Sequence, residues 1–307
     1  MMRMLRWVPN AAVWAASLLC VLDAPAQTQR FRSQAVAVRV DVLVTEDKRL
    51  VTGLTAADFE LRDAGVLQDV KQIDVEQLPL NVMLTVDTSK SVEGARLTSL
   101  LDAARGLVGG LREPDRAALL SFSTRVRLLS SLTSSRPQIT AALRELSASG
   151  STSLRDAVFS ALALRQDDPG RTLVLVFSDG NDTSSWLSTS KVMDAARRTD
   201  AVVYGIGIRQ QGRFVGIVRT ETIEEIGELL RKVTEETGGR VLFASTDADL
   251  RRTFERTLDE FRNRYVLSYT PTGVPATGWH TLDVKLKSKK GRVTARRGYF
   301  VDLPPAR

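Results

Sequence analysis

The sequence predicts an α/β fold: a doubly wound, mostly parallel sheet flanked at both ends by β segments. Residues 80–86 and 173–177 are continuous runs dominated by apolar residues, which are typical of strands buried on both faces. Further apolar strands alternate with amphipathic helical patterns, and this alternation favours crossovers that cover both faces of the sheet. The pattern is β-rich before residue 79 and after residue 262, so we expect an additional β layer there.

The two flanks supply the strands of this layer. Valines at every second position of residues 36–44 predict a half-buried strand, and a hairpin is predicted around residues 59–73. Strands are also predicted at 265–269, 281–286 and 293–300. Because each flank is too small to form a sandwich alone, we expect residues 27–78 and 263–307 to pair into one small β-sandwich.

The α/β unit is predicted over residues 79–262. Its predicted strands are 80–86, 117–122, 126–129, 173–177, 201–208 and 240–244. Its predicted helices are 97–111, 137–146, 154–164, 192–198, 222–237 and 247–263. Pro137 in a first turn and Gly238 after a last turn agree with the residue preferences at helix ends.

The first 26 residues are predicted to be a signal peptide. Arg3 and Arg6 make a basic start, residues 11–22 are apolar, and residues 24–26 (APA) supply a cleavage signal. The apolar run is shorter than the roughly 20 residues that a spanning helix needs, although a retained anchor is the alternative. Cleavage would remove the only cysteine, Cys20. We therefore expect an exported protein without disulfide bonds and without a transmembrane segment after cleavage.

The chain carries a formal net charge of +7 and has a pI near 9.8, which predicts attraction to anionic surfaces without identifying one. Residues 285–297 concentrate this charge. Their basic members are Lys285, Lys287, Lys289, Lys290, Arg292, Arg296 and Arg297. Contact with an anionic envelope surface is one interpretation of this stretch, and a solvated sheet face is the other. Export argues against a nucleic-acid partner.

Oxygen-bearing side chains occur in three places where predicted strands end or loops lead into helices. They are Asp87, Ser89 and Ser91 after the first apolar strand, Thr152 before a helix, and Asp179 after the second apolar strand. Because such loops meet at the carboxyl edge of an α/β sheet, we expect these oxygens to lie close together. Hard cations such as Mg²⁺ prefer oxygen ligands. The alternative is that Asp87 and Asp179 only cap the helices that follow them.

This arrangement resembles the von Willebrand factor type A domain with its metal-ion-dependent adhesion site. The family's Asp-x-Ser-x-Ser matches residues 87–91 (DTSKS), its loop threonine matches Thr152 in GSTSLRDA, and its last aspartate matches Asp179 in FSDG. The resemblance implies that Ser89 and Ser91 bind a divalent cation directly. It implies that Asp87, Thr152 and Asp179 bind it directly or through water. The implied cation is Mg²⁺, with Mn²⁺ or Ca²⁺ as alternatives, and an Asp or Glu of a protein partner would complete the coordination.

The whole chain also resembles an exported bacterial family, the "VWFA-related" proteins described mainly from Acidobacteria. The segment VTGLTAADFELRDAG precedes the α/β unit, and YVLSYTP, WHTLDVKLK and VTARRGYF follow it. This resemblance implies a bacterial protein of the periplasm or the cell surface, and it implies no particular activity.

Five residues are predicted to surround the ion and contact a partner: Lys90, Asn181, Asp182, Trp186 and Phe214. An exposed tryptophan beside a metal is typical of an interface anchor. The alternative is that Trp186 packs under the following helix.

These observations predict a non-enzymatic module that binds a protein partner through a divalent metal. The alternative is a periplasmic assembly scaffold in which the metal only stabilises the fold. A hydrolase would need a base beside Ser89 or Ser178. The only histidine, His280, is instead expected on the surface of a C-terminal strand.

Overall fold

The protein is described from a computed structural model. The structure describes residues 37–75, 78–164, 170–178, 182–208, 214–215, 218–219 and 227–302. The predicted signal peptide, Asp179 and Asn181 lie outside the described residues, as does the side chain of Phe214. Within the described ranges, none of the helices combines the length and the apolar character needed to span a bilayer.

A six-stranded sheet forms the centre of the α/β unit. Its strands are β6 (Leu80–Asp87), β7 (Arg116–Phe122), β8 (Val126–Thr133), β9 (Arg171–Phe177), β10 (Val202–Ile208) and β13 (Val241–Ala244). They lie in the order β13-β10-β9-β6-β7-β8. Every neighbouring pair is parallel except β7 and β8. Strands β6 and β9 lie at the centre of the sheet, and each is buried along its whole length. This explains why both sequences are uninterrupted runs of mainly apolar residues.

Within the described part of the chain, six helices cover the two faces of this sheet. They are α1 (Ala95–Gly109), α2 (Arg136–Leu143), α3 (Leu154–Ala163), α4 (Thr189–Arg198), α5 (Glu228–Thr237) and α6 (Leu250–Arg262). Apolar side chains of α1, α2 and α6 pack in one core with one face of the sheet. Those of α3, α4 and α5 pack in a second core on the other face. The sheet is therefore doubly wound, as predicted.

Element ends differ from the predictions by a few residues. Strand β8 continues to Thr133 and forms an edge of the sheet, where pairing with β7 alone and a register shift break the apolar pattern. Helix α2 begins at Arg136, and the Ser135 hydroxyl accepts a hydrogen bond from the Gln138 N–H. Helix α5 is described from Glu228 and ends at Thr237; the next residue, Gly238, caps it with a φ of 75°, the left-handed conformation that favours glycine.

The two flanks pair with each other in two sheets. The N-terminal strands are β1 (Val38–Glu46), β2 (Arg49–Leu50), β3 (Phe59–Asp63), β4 (Val66–Leu67) and β5 (Lys71–Ile73). The C-terminal strands are β14 (Tyr265–Tyr269), β15 (Gly278–Leu286), β16 (Arg292–Thr294) and β17 (Gly298–Val301). Strand β14 lies between β1 and β5, and β15 lies between β17 and β3. A short hairpin, β11 (Phe214–Val215) and β12 (Val218–Arg219), forms a separate two-stranded sheet.

One apolar core joins the two flanking sheets. It contains Val42 and Leu267 from one sheet and Phe59 and Leu61 from the other. Because each of the two sheets is built from strands of both flanks, the sandwich forms only when the two flanks come together, as the sequence predicts.

Two buried arginines attach the sandwich to the α/β unit. Arg171, the first residue of β9, donates from Nε to Asp41 of β1 at 2.9 Å and from Nη2 to the Phe261 carbonyl at 2.9 Å. Arg264 is 1% exposed and donates to the Tyr204 hydroxyl at 3.0 Å. Because Arg171 is the first residue of β9, the sandwich is joined to the amino-terminal edge of the central sheet.

His280 is buried, so its predicted surface position is wrong. Its Nδ1 lies 2.8 Å from Asp63 Oδ1, and the ring stacks on Tyr299 with centroids 4.7 Å apart. The hydroxyls of Tyr269 and Tyr299 donate to Asp63 Oδ2 at 2.8 and 2.7 Å. Burial, with hydrogen bonding to Asp63 adding to it, raises the pKa of both tyrosines. The hydroxyls therefore stay protonated and keep donating.

Candidate metal centre

Strand β6 carries Asp87 into the centre of the carboxyl-terminal edge of the sheet. Asp87 is 0% exposed. Its Oδ1 accepts from the Ser89 N–H at 2.8 Å, and its Oδ2 accepts from the Ser178 hydroxyl at 2.8 Å. These two bonds, one local and one from the end of β9, set the orientation of the carboxylate.

The structure does not support the alternative interpretation in which Asp87 only caps the helix that follows it. Helix α1 has Gly94 as its N-cap, and no side chain caps it. The helix that follows position 179 begins at Thr189, with Ser188 as its N-cap. Asp87 therefore faces the sheet edge instead of serving as a helix cap.

Two serine hydroxyls lie beside this carboxylate. Ser89 Oγ and Ser91 Oγ are 2.9 Å apart. Ser89 is buried whereas Ser91 is exposed, so the pair opens to solvent on one side. Such a pair offers two neutral oxygen ligands next to one buried anionic group.

The loop that carries Thr152 is bonded to the loop after β6. The Ser149 N–H donates to the Thr88 carbonyl at 2.8 Å, and the Lys90 N–H donates to the Gly150 carbonyl at 3.1 Å. Thr152 itself is buried. The structure therefore brings Asp87, Ser89, Ser91 and Thr152 into adjoining loops, as the sequence predicts.

A third loop, residues 182–188, completes this edge. The N–H groups of Thr183 and Ser184 donate to the Thr152 carbonyl at 2.8 and 3.0 Å, and the Thr152 N–H donates to the Thr183 hydroxyl at 2.9 Å. Asp179 lies in the chain between Ser178, which contacts Asp87, and this loop. The position of Asp179 itself lies outside the described residues, so its part in the site stays a prediction.

The donors present fit a hard divalent cation. Among the described residues, no group of three or more His, Cys, Asp or Glu side chains is arranged to hold a metal. The described oxygen donors at this edge are the hydroxyls of Ser89 and Ser91 and the oriented carboxylate of Asp87, with Thr152 in the adjoining loop. All of these ligands are oxygens, which suits Mg²⁺ better than a metal that prefers nitrogen or sulfur.

The loop 182–188 presents Trp186 to solvent, with the side chain 94% exposed. The alternative in which this side chain packs under α4 is thus not observed. Asp156, in the first turn of α3, accepts from the N–H groups of Trp186 and Leu187 at 3.0 and 2.9 Å. Sequence reasoning missed Asp156, although it lies only four residues after the loop threonine in GSTSLRDA.

Asp182 supports the same loop. It forms an ion pair with Arg155 at 3.1 Å and accepts from the Arg155 N–H at 2.8 Å. Burial raises the pKa of Asp182, but hydrogen bonds from the Ser185 hydroxyl and the Arg155 backbone outweigh it and hold the pKa below its ordinary value. Its carboxylate therefore stays ionised and engaged within the loop.

Basic side chains border the hydroxyl pair. Lys90 is exposed between the two serines, and Arg96 donates to the Ser91 carbonyl at 3.4 Å. Arg125 is exposed in the β7–β8 turn, where the Thr124 hydroxyl accepts from the Ser151 N–H at 3.1 Å. The rim is therefore suited to an anionic group that approaches from solvent.

Gly150 is required by the geometry of the threonine loop. Its φ is +75°, and an added Cβ would lie 2.4 Å from Thr124 Oγ1. We expect Gly150→Ala to lower the free energy of unfolding by about 1–2 kcal/mol and to weaken metal binding, because the loop that holds Thr152 must shift. Urea denaturation and a Mg²⁺ titration measure the two effects.

Gly109→Ala is the matched control, since nothing lies within 4 Å of its added Cβ and the residue lies within α1. It should leave metal binding unchanged and should not destabilise the protein. Equal metal affinity in the Gly150 variant and the wild type would contradict the role given to this loop.

Comparisons with known proteins find similar sequences for the α/β unit. The family profile of the von Willebrand factor type A domain matches residues 82–181. Uncharacterized protein sll0103 of Synechocystis sp. is 31% identical over 124 residues, covering 39% of this chain and 29% of that protein. Inter-alpha-trypsin inhibitor heavy chain H2 of Homo sapiens is 23% identical over 132 residues, covering 39% of this chain and 14% of that protein. The match thus spans less than a third of the length of either curated relative.

A solved structure extends the comparison to most of the chain. The von Willebrand factor type A protein from Catenulispora acidiphila superimposes with a TM-score of 0.50 at 13% identity, covering 84% of this chain and 71% of that one. The predicted α/β fold is confirmed, and residues 82–181 match the family profile of the type A domain. The complete metal site and the exported bacterial family stay predictions.

Proposed function

We propose that the von Willebrand factor type A domain of this chain is a non-catalytic module that binds a protein partner through a divalent cation. The observation that carries the proposal is the hydrogen-bonded convergence of loops 88–91 and 149–153 beside the buried carboxylate of Asp87. A single polar residue at the end of a strand would not indicate a metal site. Two serine hydroxyls 2.9 Å apart next to an oriented carboxylate, in contrast, form a set of oxygen ligands.

Each site residue has a role in this proposal. Ser89 and Ser91 would hold Mg²⁺ directly, with Mn²⁺ or Ca²⁺ as alternatives, and Asp87, Thr152 and Asp179 would hold it directly or through water. The bound cation would supply an electrophilic centre with a coordination position left for a carboxylate of the partner. Neutral hydroxyl ligands leave most of the cation's charge uncompensated, which favours such an external carboxylate.

The surroundings of the site support an acidic partner surface. Lys90 and Arg125 are exposed at the rim, and opposite charges of this kind steer association and set its orientation. Trp186 adds a large apolar contact on a loop that Asp156 and Asp182 hold in place. Asn181 and Phe214 complete the proposed contact set. The signal-like N-terminus supports a place in the periplasm or at the cell surface.

Trp186→Ala is expected to weaken partner binding by about tenfold or more, because exposed aromatic anchors dominate interface energies. The free energy of unfolding should change by less than about 0.5 kcal/mol, since the side chain is almost fully exposed. Mg²⁺ affinity should be unchanged. Surface plasmon resonance with the captured partner and a separate Mg²⁺ titration give the two values, and unchanged partner affinity would contradict the contact role.

Capture experiments test the proposal itself. Immobilised protein should retain a partner from solubilised envelope in Mg²⁺ and release it in EDTA, and Ser89→Ala/Ser91→Ala should retain none. Retention that survives both EDTA and the double substitution would contradict the proposal. A protein that Mg²⁺ stabilises without any Mg²⁺-dependent retention would instead be the scaffold in which the metal only supports the fold.

A further inference from the structure

The basic stretch 285–297 does not form one uniform face. Lys289 pairs with Asp58 at 3.1 Å, Lys285 pairs with Asp283, and Arg297 pairs with Glu235 of α5 at 2.9 Å. Three of its seven basic residues are therefore paired with neighbouring acids. Arg292 and the paired Arg297 line a cleft between the sandwich and the α/β unit.

This cleft has a volume of about 780 Å³ and collects positive charge from both sides. Its basic side chains are Lys48, Arg231, Arg240, Arg292 and Arg297, and its acidic side chains are Asp47 and Glu235, a net charge of +3. The apolar lining is limited to Val241, Val293 and Ala295, and threonines supply further hydroxyls. The volume falls within the range of ordinary ligand pockets, but the lining is far more cationic.

The donors of the cleft are only partly used. Arg231 Nη1 and Arg297 Nη2 bind the two oxygens of one carboxylate, Glu235, at 3.0 and 2.9 Å. Each guanidinium has five N–H donors, so most of theirs stay available. Arg240 pairs with Glu260 through Nη2, and its side chain is 30% exposed.

From these observations we propose that the cleft binds a multivalent oxyanion, a molecule with at least three negative charges on phosphate or carboxylate groups. Guanidinium forks match both kinds of group, and the net charge calls for more than one of them. Because the cleft is concave and lies between the sandwich and the α/β unit, its ligand is a molecule that enters it and not the flat surface of a lipid bilayer. This site is joined to the amino-terminal side of β13, and it involves no residue of the metal centre.

Calorimetric titration with tripolyphosphate tests the proposal, in low salt and with protein and buffer freed of divalent cations on a chelating resin so that the metal centre takes no part. The wild type should bind with saturation, and affinity should fall as salt rises. Lys48→Ala/Arg292→Ala should weaken binding by about tenfold or more, because two charged donors leave the cleft. A citrate titration with the same variants then distinguishes phosphate from carboxylate as the preferred group.

Lys287→Ala/Lys290→Ala is the matched control, because it removes two exposed charges from the same stretch outside the cleft. It should change affinity by less than about twofold, since screened surface charges contribute little. Equal losses in both double variants, or no saturable binding of either anion to the wild type, would overturn the proposal. Binding to phosphatidylglycerol vesicles that both double variants weaken equally would also overturn it, by assigning the charge to a flat surface.

Discussion

Asp63→Ala is expected to lower the free energy of unfolding by about 3–5 kcal/mol, the usual cost of removing one partner from a buried charged network. Asp63 accepts from Tyr269 and Tyr299 and contacts the His280 ring, and all four residues are buried. Removing the carboxylate takes their acceptor from two hydroxyls and a hydrogen-bond partner from the His280 ring nitrogen. Urea denaturation monitored by tryptophan fluorescence measures the loss.

Two further variants separate this network from simple packing. Asp63→Asn keeps one carbonyl acceptor and should cost less than Asp63→Ala, while Tyr269→Phe removes a single donor and should cost about 1 kcal/mol. Because Tyr269 lies on β14 and Asp63 on β3, this network also joins the two sheets of the sandwich. A loss below about 1 kcal/mol for Asp63→Ala would show that the network does not stabilise the sandwich.

Asp87→Asn is expected to abolish the stabilisation that Mg²⁺ confers. At about one hundred times its Kd, a cation that binds only the folded state adds about 2.7 kcal/mol, which corresponds to a rise in Tm of several degrees. The amide keeps a carbonyl to accept from the Ser89 N–H, so the variant should fold. It lacks the negative charge, so Mg²⁺ should leave its Tm unchanged.

Asp102→Asn is the control for this experiment, because it makes the same chemical change at a surface carboxylate of α1 that pairs with Arg105. Its Tm should rise with Mg²⁺ as the wild-type Tm does. Equal Mg²⁺-dependent shifts in the Asp87 and Asp102 variants would show that the cation does not bind at Asp87.

The sequence was informative wherever burial follows from a local pattern. Strand β6 is buried at every position, and its apolar run predicts this directly. The contact between Asp87 and Ser178 follows from parallel topology, because the carboxyl ends of the neighbouring strands β6 and β9 share one edge. The 149–153 loop instead joins α2 to α3 and is held at this edge by its hydrogen bonds to the 88–91 loop. His280 was predictable too, since the position lies in phase with Leu282, Val284 and Leu286, which face the sandwich core.

The buried arginines were beyond sequence reasoning. Arginine is normally a surface residue, and the carboxylate that pairs with Arg171 lies 130 positions away at Asp41. Arg264 likewise donates a hydrogen bond to Tyr204, which lies 60 positions earlier in β10. Only the folded topology brings such residues together, so no local pattern could indicate that they attach the sandwich. The cleft beside α5 depends on the same junction and was therefore not predicted either.

Direct titration of Mg²⁺ into metal-free protein tests the central claim most directly. The wild type should bind one ion per chain with saturation, and Ser89→Ala/Ser91→Ala should show no binding at the same concentrations. The double variant should keep the wild-type Tm in EDTA, because the two hydroxyls bond mainly to each other. A wild type without saturable binding, or a double variant with wild-type affinity, would contradict the metal centre proposed at Asp87, Ser89 and Ser91.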